Sequence, residues 1–346
     1  MRILITSHLF SPSVGGIEQV GAMLAEEFSA LGHEVCVATR TPAGAGPGLA
    51  VPYRVVRRPG PIRLVALARR ADVVLQNNIS LATLWPALLF GTPAVVAYQT
   101  WVAQPGGRIG WRERAKRLCM RAVRRNVAAS RALAHSLPVA CDVLPNPYRD
   151  DVYHIEPEAV RDRDLVMVGR LVSDKGVDCL LEALELLRDR GIAPSLTIVG
   201  GGPEEGALRE QAARAGFGAQ VVFAGAITGS ELCRLLNRHR ILVAPSLTPE
   251  PFGIVALEGA ACGCVVVGSD QGGLPEAIGP CGATFPNGDA PALADLLGRL
   301  LGDPELRGRL CAAAPPHLAK HRRRAVAEAY LGVLERAARR TRTGAP

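Results

Sequence analysis

Aromatic side chains are scarce in this 346-residue chain, at 4% of its residues. A single-strand nucleic-acid groove stacks bases on aromatic rings, so that class is disfavoured. Long apolar runs are lacking as well. The longest, around Leu81 to Phe90, contains Pro86 and is too short to span a bilayer. Met1-Arg2-Ile3-Leu4-Ile5-Thr6 is a short apolar strand without the pattern of a secretory signal. The nine cysteines show no metal-site spacing: Cys262 and Cys264 form a lone C-x-C with no second pair. They read as buried free thiols, and together with the missing signal they point to the cytoplasm. No G-x-G-x-x-G follows the first strand, so the dinucleotide fingerprint is not present there.

What remains is a soluble globular composition, 48% hydrophobic and 21% charged. At this length one core is no longer efficient, and two domains are expected. The net charge of +8 is uneven: residues 1–160 carry 18 Lys and Arg against 11 Asp and Glu. An anionic partner for the N-terminal half follows, either a phosphate-bearing acceptor or an anionic membrane surface. Short apolar runs alternate with helical patterns. In the first half they are Ile3–Thr6, Val35–Ala38, Val73–Gln76, Ala94–Tyr98, Val127–Ala129 and Asp142–Leu144. In the second they are Leu165–Val168, Leu196–Val199, Val221–Ala224, Ile241–Ala244, Val265–Gly268 and Ala283–Phe285. Alternation at this spacing predicts parallel sheets with right-handed crossovers, hence an α/β protein of two doubly wound domains. The polar, proline-containing stretch from Asn146 to Asp164 is the expected hinge. We divide the chain at 1–155, 156–324 and a basic amphipathic C-terminal helix within 325–346.

The most informative segment is Pro249-Glu250-Pro251-Phe252-Gly253-Ile254-Val255-Ala256-Leu257-Glu258. An apolar strand precedes it and a helix pattern starts after Pro251. Glu250 thus falls in a loop at the carboxyl end of a strand, with Glu258 two turns into the helix. Free amides near Phe252, Gly253, Ile254 and Val255 favour an anion. A loop carboxylate beside such amides suits a sugar nucleotide. Upstream, Gly169-Arg170-Leu171-Val172-Ser173-Asp174-Lys175-Gly176 follows the first strand of the second half and opens a helix. Arg170 and Lys175 place two cations in that turn. Gly15-Gly16-Ile17-Glu18 follows the first strand of the chain and allows close backbone approach to a ligand. Gly200-Gly201-Gly202-Pro203-Glu204 reads equally well as a pocket border and as a plain strand-to-helix turn.

These segments resemble the retaining glycosyltransferases of family 4, glycosyl transferases group 1. Glu250 and Glu258 match that family's E-x7-E, and Gly169 to Gly176 match its GRL-x3-KG. Gly15 to Glu18, Gly202-Pro203-Glu204 and Ser130-Arg131 match its weaker motifs, and Pro145-Asn146-Pro147 resembles its PNG hinge with Pro147 in place of the glycine. The resemblance implies the GT-B fold: two Rossmann-like domains facing a cleft, closing over it during turnover, with the last helix returning to the N-terminal domain. It implies transfer of a sugar from a nucleotide diphosphate to an acceptor hydroxyl, with retention and without metal or further cofactor. Glu250 would hold sugar hydroxyls, Glu258 the ribose, and Arg170 with Lys175 the diphosphate. Gly15, Gly16, Gly202 and residues 252–255 would complete the donor site. Asp162-Arg163-Asp164 is a D-x-D match at a strand start and is read as chance. One departure stands out: relatives carry His-Asp where this chain has Gln99-Thr100. Glutamine hydrogen-bonds a hydroxyl but does not titrate.

Two rival readings remain open, a sugar-nucleotide epimerase of the same fold and a non-catalytic protein with a degenerate site. The stretch from Arg108 to Arg125 has the pattern of a basic amphipathic helix. It is read as a solvated face or as contact with an anionic acceptor or membrane surface, not with nucleic acid. Peripheral contact would place the protein at the inner face of the membrane.

Overall fold

The computed structural model of the protein describes residues 1–11, 15–43, 51–102 and 110–339. It forms two compact units: residues 1–147 together with the stretch from 322 on, and residues 148–321. The division falls between Pro147 and Tyr148, inside the expected hinge segment and ahead of residue 155. Arg108 and the last residues from Arg340 on lie outside the described residues.

The N-terminal stretch runs β1 (Arg2–Ser7), α1 (Gly16–Ala30), β2 (Glu34–Thr39), β3 (Arg54–Arg57), α2 (Pro61–Arg70), β4 (Val73–Asn77) and α3 (Leu81–Leu89). It continues β5 (Ala94–Tyr98), α4 (Trp111–Ala122), β6 (Arg125–Ala128), α5 (Arg131–His135) and β7 (Asp142–Val143). The strands pair in parallel in the order β3-β2-β1-β4-β5-β6-β7. β4 and β5 are buried along their whole length. A parallel sheet covered on both faces favours a near-continuous apolar run such as β5, while β4 closes on the buried Gln76 and Asn77. β3 escaped the sequence reading: its four residues Arg-Val-Val-Arg begin and end on a cation, as suits an edge strand.

The second unit runs β8 (Arg163–Val168), α6 (Val177–Asp189), β9 (Leu196–Val199), α7 (Glu205–Arg214), β10 (Val221–Gly225), α8 (Gly229–Asn237) and β11 (His239–Ala244). Then come α9 (Ile254–Ala261), β12 (Val265–Ser269), α10 (Leu274–Ile278), β13 (Gly282–Phe285), α11 (Ala290–Gly302), α12 (Pro304–Ala312) and α13 (Ala314–Ala319). Its parallel sheet has the order β10-β9-β8-β11-β12-β13. That is the doubly wound arrangement, in which the chain leaves the first strand toward one edge and then returns to build toward the other. Leu180, Leu184, Leu187, Leu293 and Leu297 pack with Ile198, Ile241 and Val267 into its core.

The last helix, α14 (Arg323–Arg339), belongs to the first unit and contacts α1, β4 and β5. It buries Val326, Ala327, Tyr330, Leu331, Val333, Leu334 and Ala337. Arg323 reaches Glu26 on α1 at 3.2 Å and Glu27 at 3.8 Å.

Candidate active site

In the second unit the order reverses between β8 and β11, so the carboxyl ends of these neighbours form the topological switch point where open α/β sheets bind ligands. Both principal motifs leave from there. Residues 169–176 follow β8, and residues 245–253 follow β11.

The two loops are joined by several contacts. Leu247 and Thr248 donate backbone N–H bonds to the Asp174 carbonyl, at 2.9 and 3.3 Å. Gly176 takes φ +65°, and a Cβ there would stand 2.0 Å from the Pro245 carbonyl oxygen. Only glycine allows both the left-handed turn and that approach. The stitching brings Lys175 Nζ to 2.6 Å from Glu250 Oε1, with both side chains partly exposed. Ser246 Oγ donates a short hydrogen bond to the same oxygen. Glu250 is further fixed by its backbone, whose carbonyl accepts from Gly273 N–H at 2.7 Å. Arg170, at the end of β8, is exposed and makes no ion pair among the described residues.

Phe252 is buried, with its ring 5.7 Å from that of His321. Gly253, at φ +103°, turns the chain into α9, whose first residues are Ile254 and Val255. The first amides of a helix lack intrahelical acceptors, so this end favours an anion. Glu258 lies on the same helix with 8% exposure. Burial pushes its carboxyl up to about 7, against a smaller opposing pull from Arg149.

Gly202 belongs to the turn after β9. A Cβ there would stand 2.2 Å from the Leu171 carbonyl oxygen, and Leu171 N–H donates to Gly201 at 3.0 Å. Close packing against the 169–171 loop thus accounts for the glycine. The D-x-D residues are bound up structurally: Asp162 pairs with Arg238 at 2.6 Å, and Asp164 with Arg240 at 2.7 Å. Among the described residues, one group of His, Cys and carboxylate side chains has ligand spacing: His154, Glu156 and Cys233. Cys262 and Cys264 are buried, and burial raises both thiols, Cys264 to about 12.

In the first unit the order reverses between β1 and β4. Gly15 and Gly16 lead into α1 after β1, and the Glu18 carboxylate folds back so that a Cβ on Gly15 would meet it at 2.6 Å. Gln99 follows β5 with 6% exposure, and among the described residues neither its amide oxygen nor its nitrogen has a hydrogen-bond partner. Burial raises the Tyr330 phenol of α14 and the nearby Gln99 amide offsets part of that, yet no hydrogen bond closes between them. Ser130 caps α5, accepting from Leu133 N–H at 3.1 Å, which is an architectural role. Asn78 had no sequence signal. It adopts φ +58° and donates to Thr100 Oγ1 at 2.9 Å, beside Gln99.

The model of the glycosyl transferases group 1 family matches residues 151–316, and that of the glycosyl transferase 4-like domain matches residues 15–139. The chain is 31% identical over 291 residues to a GDP-mannose-dependent alpha-(1-6)-phosphatidylinositol monomannoside mannosyltransferase of Mycolicibacterium smegmatis, covering 73% of this chain and 76% of that protein. The chain belongs to the glycosyl transferases group 1 family. It is a nucleotide-sugar-dependent glycosyltransferase of the GT-B fold. A glycogen synthase of Mycobacterium tuberculosis is 38% identical over 157 residues, 45% of this chain and 38% of its own. The crystal structure of HepE from Anabaena in complex with UDP superposes with a TM-score of 0.81, covering 97% of this chain and all of the other. At 18% identity that likeness is one of fold.

Proposed function

We propose that this glycosyltransferase binds its donor on residues 169–176 and 245–258 of the second unit and transfers the sugar with retention. The carrying observation is the 2.6 Å pairing of Lys175 with Glu250 at the β8–β11 switch point, in loops held together by backbone hydrogen bonds. Arg170 and Lys175 take the diphosphate. Glu250 takes sugar hydroxyls, Glu258 the ribose, and the amides of residues 252–255 the phosphate oxygens. As the anomeric carbon leaves the phosphate oxygen, negative charge grows on that oxygen and the two cations stabilise it. The acceptor oxygen bonds to the anomeric carbon on the same face, and its proton passes to the departing phosphate. Gly15, Gly16 and Gln99 are ligand positions of the first unit, and Gln99 contributes a neutral amide where the family carries histidine.

The first unit takes the acceptor. Its excess positive charge supports an acceptor that is anionic or membrane-associated, met at the inner membrane face. The mycolicibacterial relative, whose name specifies a phosphatidylinositol mannoside, favours the lipid-linked class. The test is thermal stabilisation by UDP-, GDP-, ADP- and dTDP-sugars. One base class should raise the apparent stability, by about 2.7 kcal/mol at a hundredfold excess over Kd. Arg170→Ala should abolish the shift. A shift that survives Arg170→Ala overturns the placement of the diphosphate.

A further inference from the structure

Two neighbouring helices of the first unit, α3 and α4, carry several large apolar side chains on the surface. Trp85 and Leu89 on α3, Phe90 just after it, and Trp111 and Leu118 on α4 are all exposed. Trp111 is 71% exposed and Leu118 69%. Between α3 and α4 opens a groove of about 440 Å³ lined by Leu81, Trp85, Leu88, Leu89 and Cys119. Monomeric soluble proteins rarely leave such a patch uncovered without a partner.

The charge around it has one dominant sign. α4 reads Trp-Arg-Glu-Arg-Ala-Lys-Arg-Leu-Cys-Met-Arg-Ala, five cations against one carboxylate. Its exposed face follows helical spacing through Trp111, Arg114, Leu118 and Arg121, while Met120 is buried beneath. Arg114, Lys116, Arg117 and Arg121 have no ion-pair partner among the described residues. On the other side, the Arg69 guanidinium stands 5.5 Å from the centre of the Phe90 ring. A stripe of tryptophan and leucine alternating with arginine is poorly suited to water. It suits the interface of a bilayer, where indole rings sit at headgroup depth and cations meet lipid phosphates.

We propose that the α3–α4 face of the first unit docks on an anionic lipid bilayer, with Trp111, Leu118 and the groove edge entering the headgroup region and Arg114 and Arg121 paired to lipid phosphates. This deepens the membrane-associated part of the proposed acceptor reading and is independent of the donor chemistry on the second unit.

The full chain is sedimented with vesicles of phosphatidylcholine alone and of phosphatidylcholine with phosphatidylglycerol. Binding to the anionic vesicles only is expected, with a blue shift of tryptophan emission. Replacing Arg114 and Arg121 by Gln should weaken it roughly thirtyfold, since each cation near an anionic surface contributes on the order of 1 kcal/mol. Replacing Trp111 and Leu118 by Ala should weaken it by a similar factor. No vesicle binding overturns the proposal. So does binding that tolerates the Trp111 and Leu118 changes, which would mark a site for a soluble polyanion. So does a lipid-free dimer that the Trp111→Ala change dissolves, which would mark a self-association face. The nucleotide-induced thermal shift, read on the same samples, reports the donor site separately and should be unchanged in all these variants.

Discussion

At the scale of single residues, the proposed donor half-site rests on charges that the fold has already paired. Lys175 is held on Glu250, whose same oxygen accepts from Ser246, so it is placed before any phosphate arrives. Removing a cation aimed at developing phosphate charge should lower kcat/KM by roughly a hundredfold or more. Lys175→Ala is therefore expected to lose that much transfer while stability falls by only about 1 kcal/mol, because the pair is partly exposed. Steady-state kinetics beside a melting curve checks both. Glu258 behaves differently. Its carboxyl is raised from 4.5 to about 7 by burial, so the folded protein holds a proton that the unfolded chain has released between those values. Stability contributed by this group is present below pH 4.5 and declines as pH rises toward 7, by roughly 3 kcal/mol in all. Glu258→Gln should flatten that part of a stability–pH curve. An unchanged slope would show the carboxyl to be ionised in the fold.

At the scale of elements, the joined loops after β8 and β11 make glycine obligatory where backbones meet. Gly176 and Gly191 both adopt positive φ, +65° and +76°. A Cβ at Gly191 would meet nothing within 4 Å, whereas one at Gly176 would collide with the Pro245 carbonyl. Gly191→Ala should thus cost about 1 kcal/mol, the strain alone. Gly176→Ala should cost at least about twice that and also abolish the nucleotide-induced thermal shift, because Lys175 leaves Glu250. Equal costs in chemical denaturation would sink this account. The same loops show what the sequence could and could not convey. Apolar runs such as Ala94–Tyr98 and Leu196–Val199 predict their strands to the residue, because a doubly covered strand has no polar face to confuse the pattern. β3 was invisible because an edge strand of four residues flanked by arginine has too little apolar signal. Glu250 and Lys175 were both legible as motif residues. Their direct pairing was not, since it joins positions 75 apart through the adjacency of β8 and β11. Gly202 illustrates the opposite limit: a motif glycine whose backbone packing on Leu171 is evident only in three dimensions.

At the scale of the whole molecule, one unit is continuous in sequence and the other is not. Residues 148–321 enclose their own leucine-rich core and all the proposed donor contacts of that unit. Expressed alone, this fragment should unfold cooperatively and keep its nucleotide-induced shift. A chain ending at His321 should instead lose the first unit, since α1, β4 and β5 would be left without the apolar face of α14. Limited proteolysis of that truncated protein should digest residues 1–147 and spare 148–321. Resistance of both halves would show α14 to be dispensable.

The discontinuity of the first unit also sets an order of events on the ribosome. Its sheet emerges first but lacks a wall until residues 323–339 have been made. The second unit, translated later, has its complete sequence available sooner. At ordinary elongation rates the nascent N-terminal sheet waits on the order of tens of seconds with apolar surface uncovered. During that interval its uncovered apolar face is open to aggregation, and the half of the enzyme that is born first is the half that matures last.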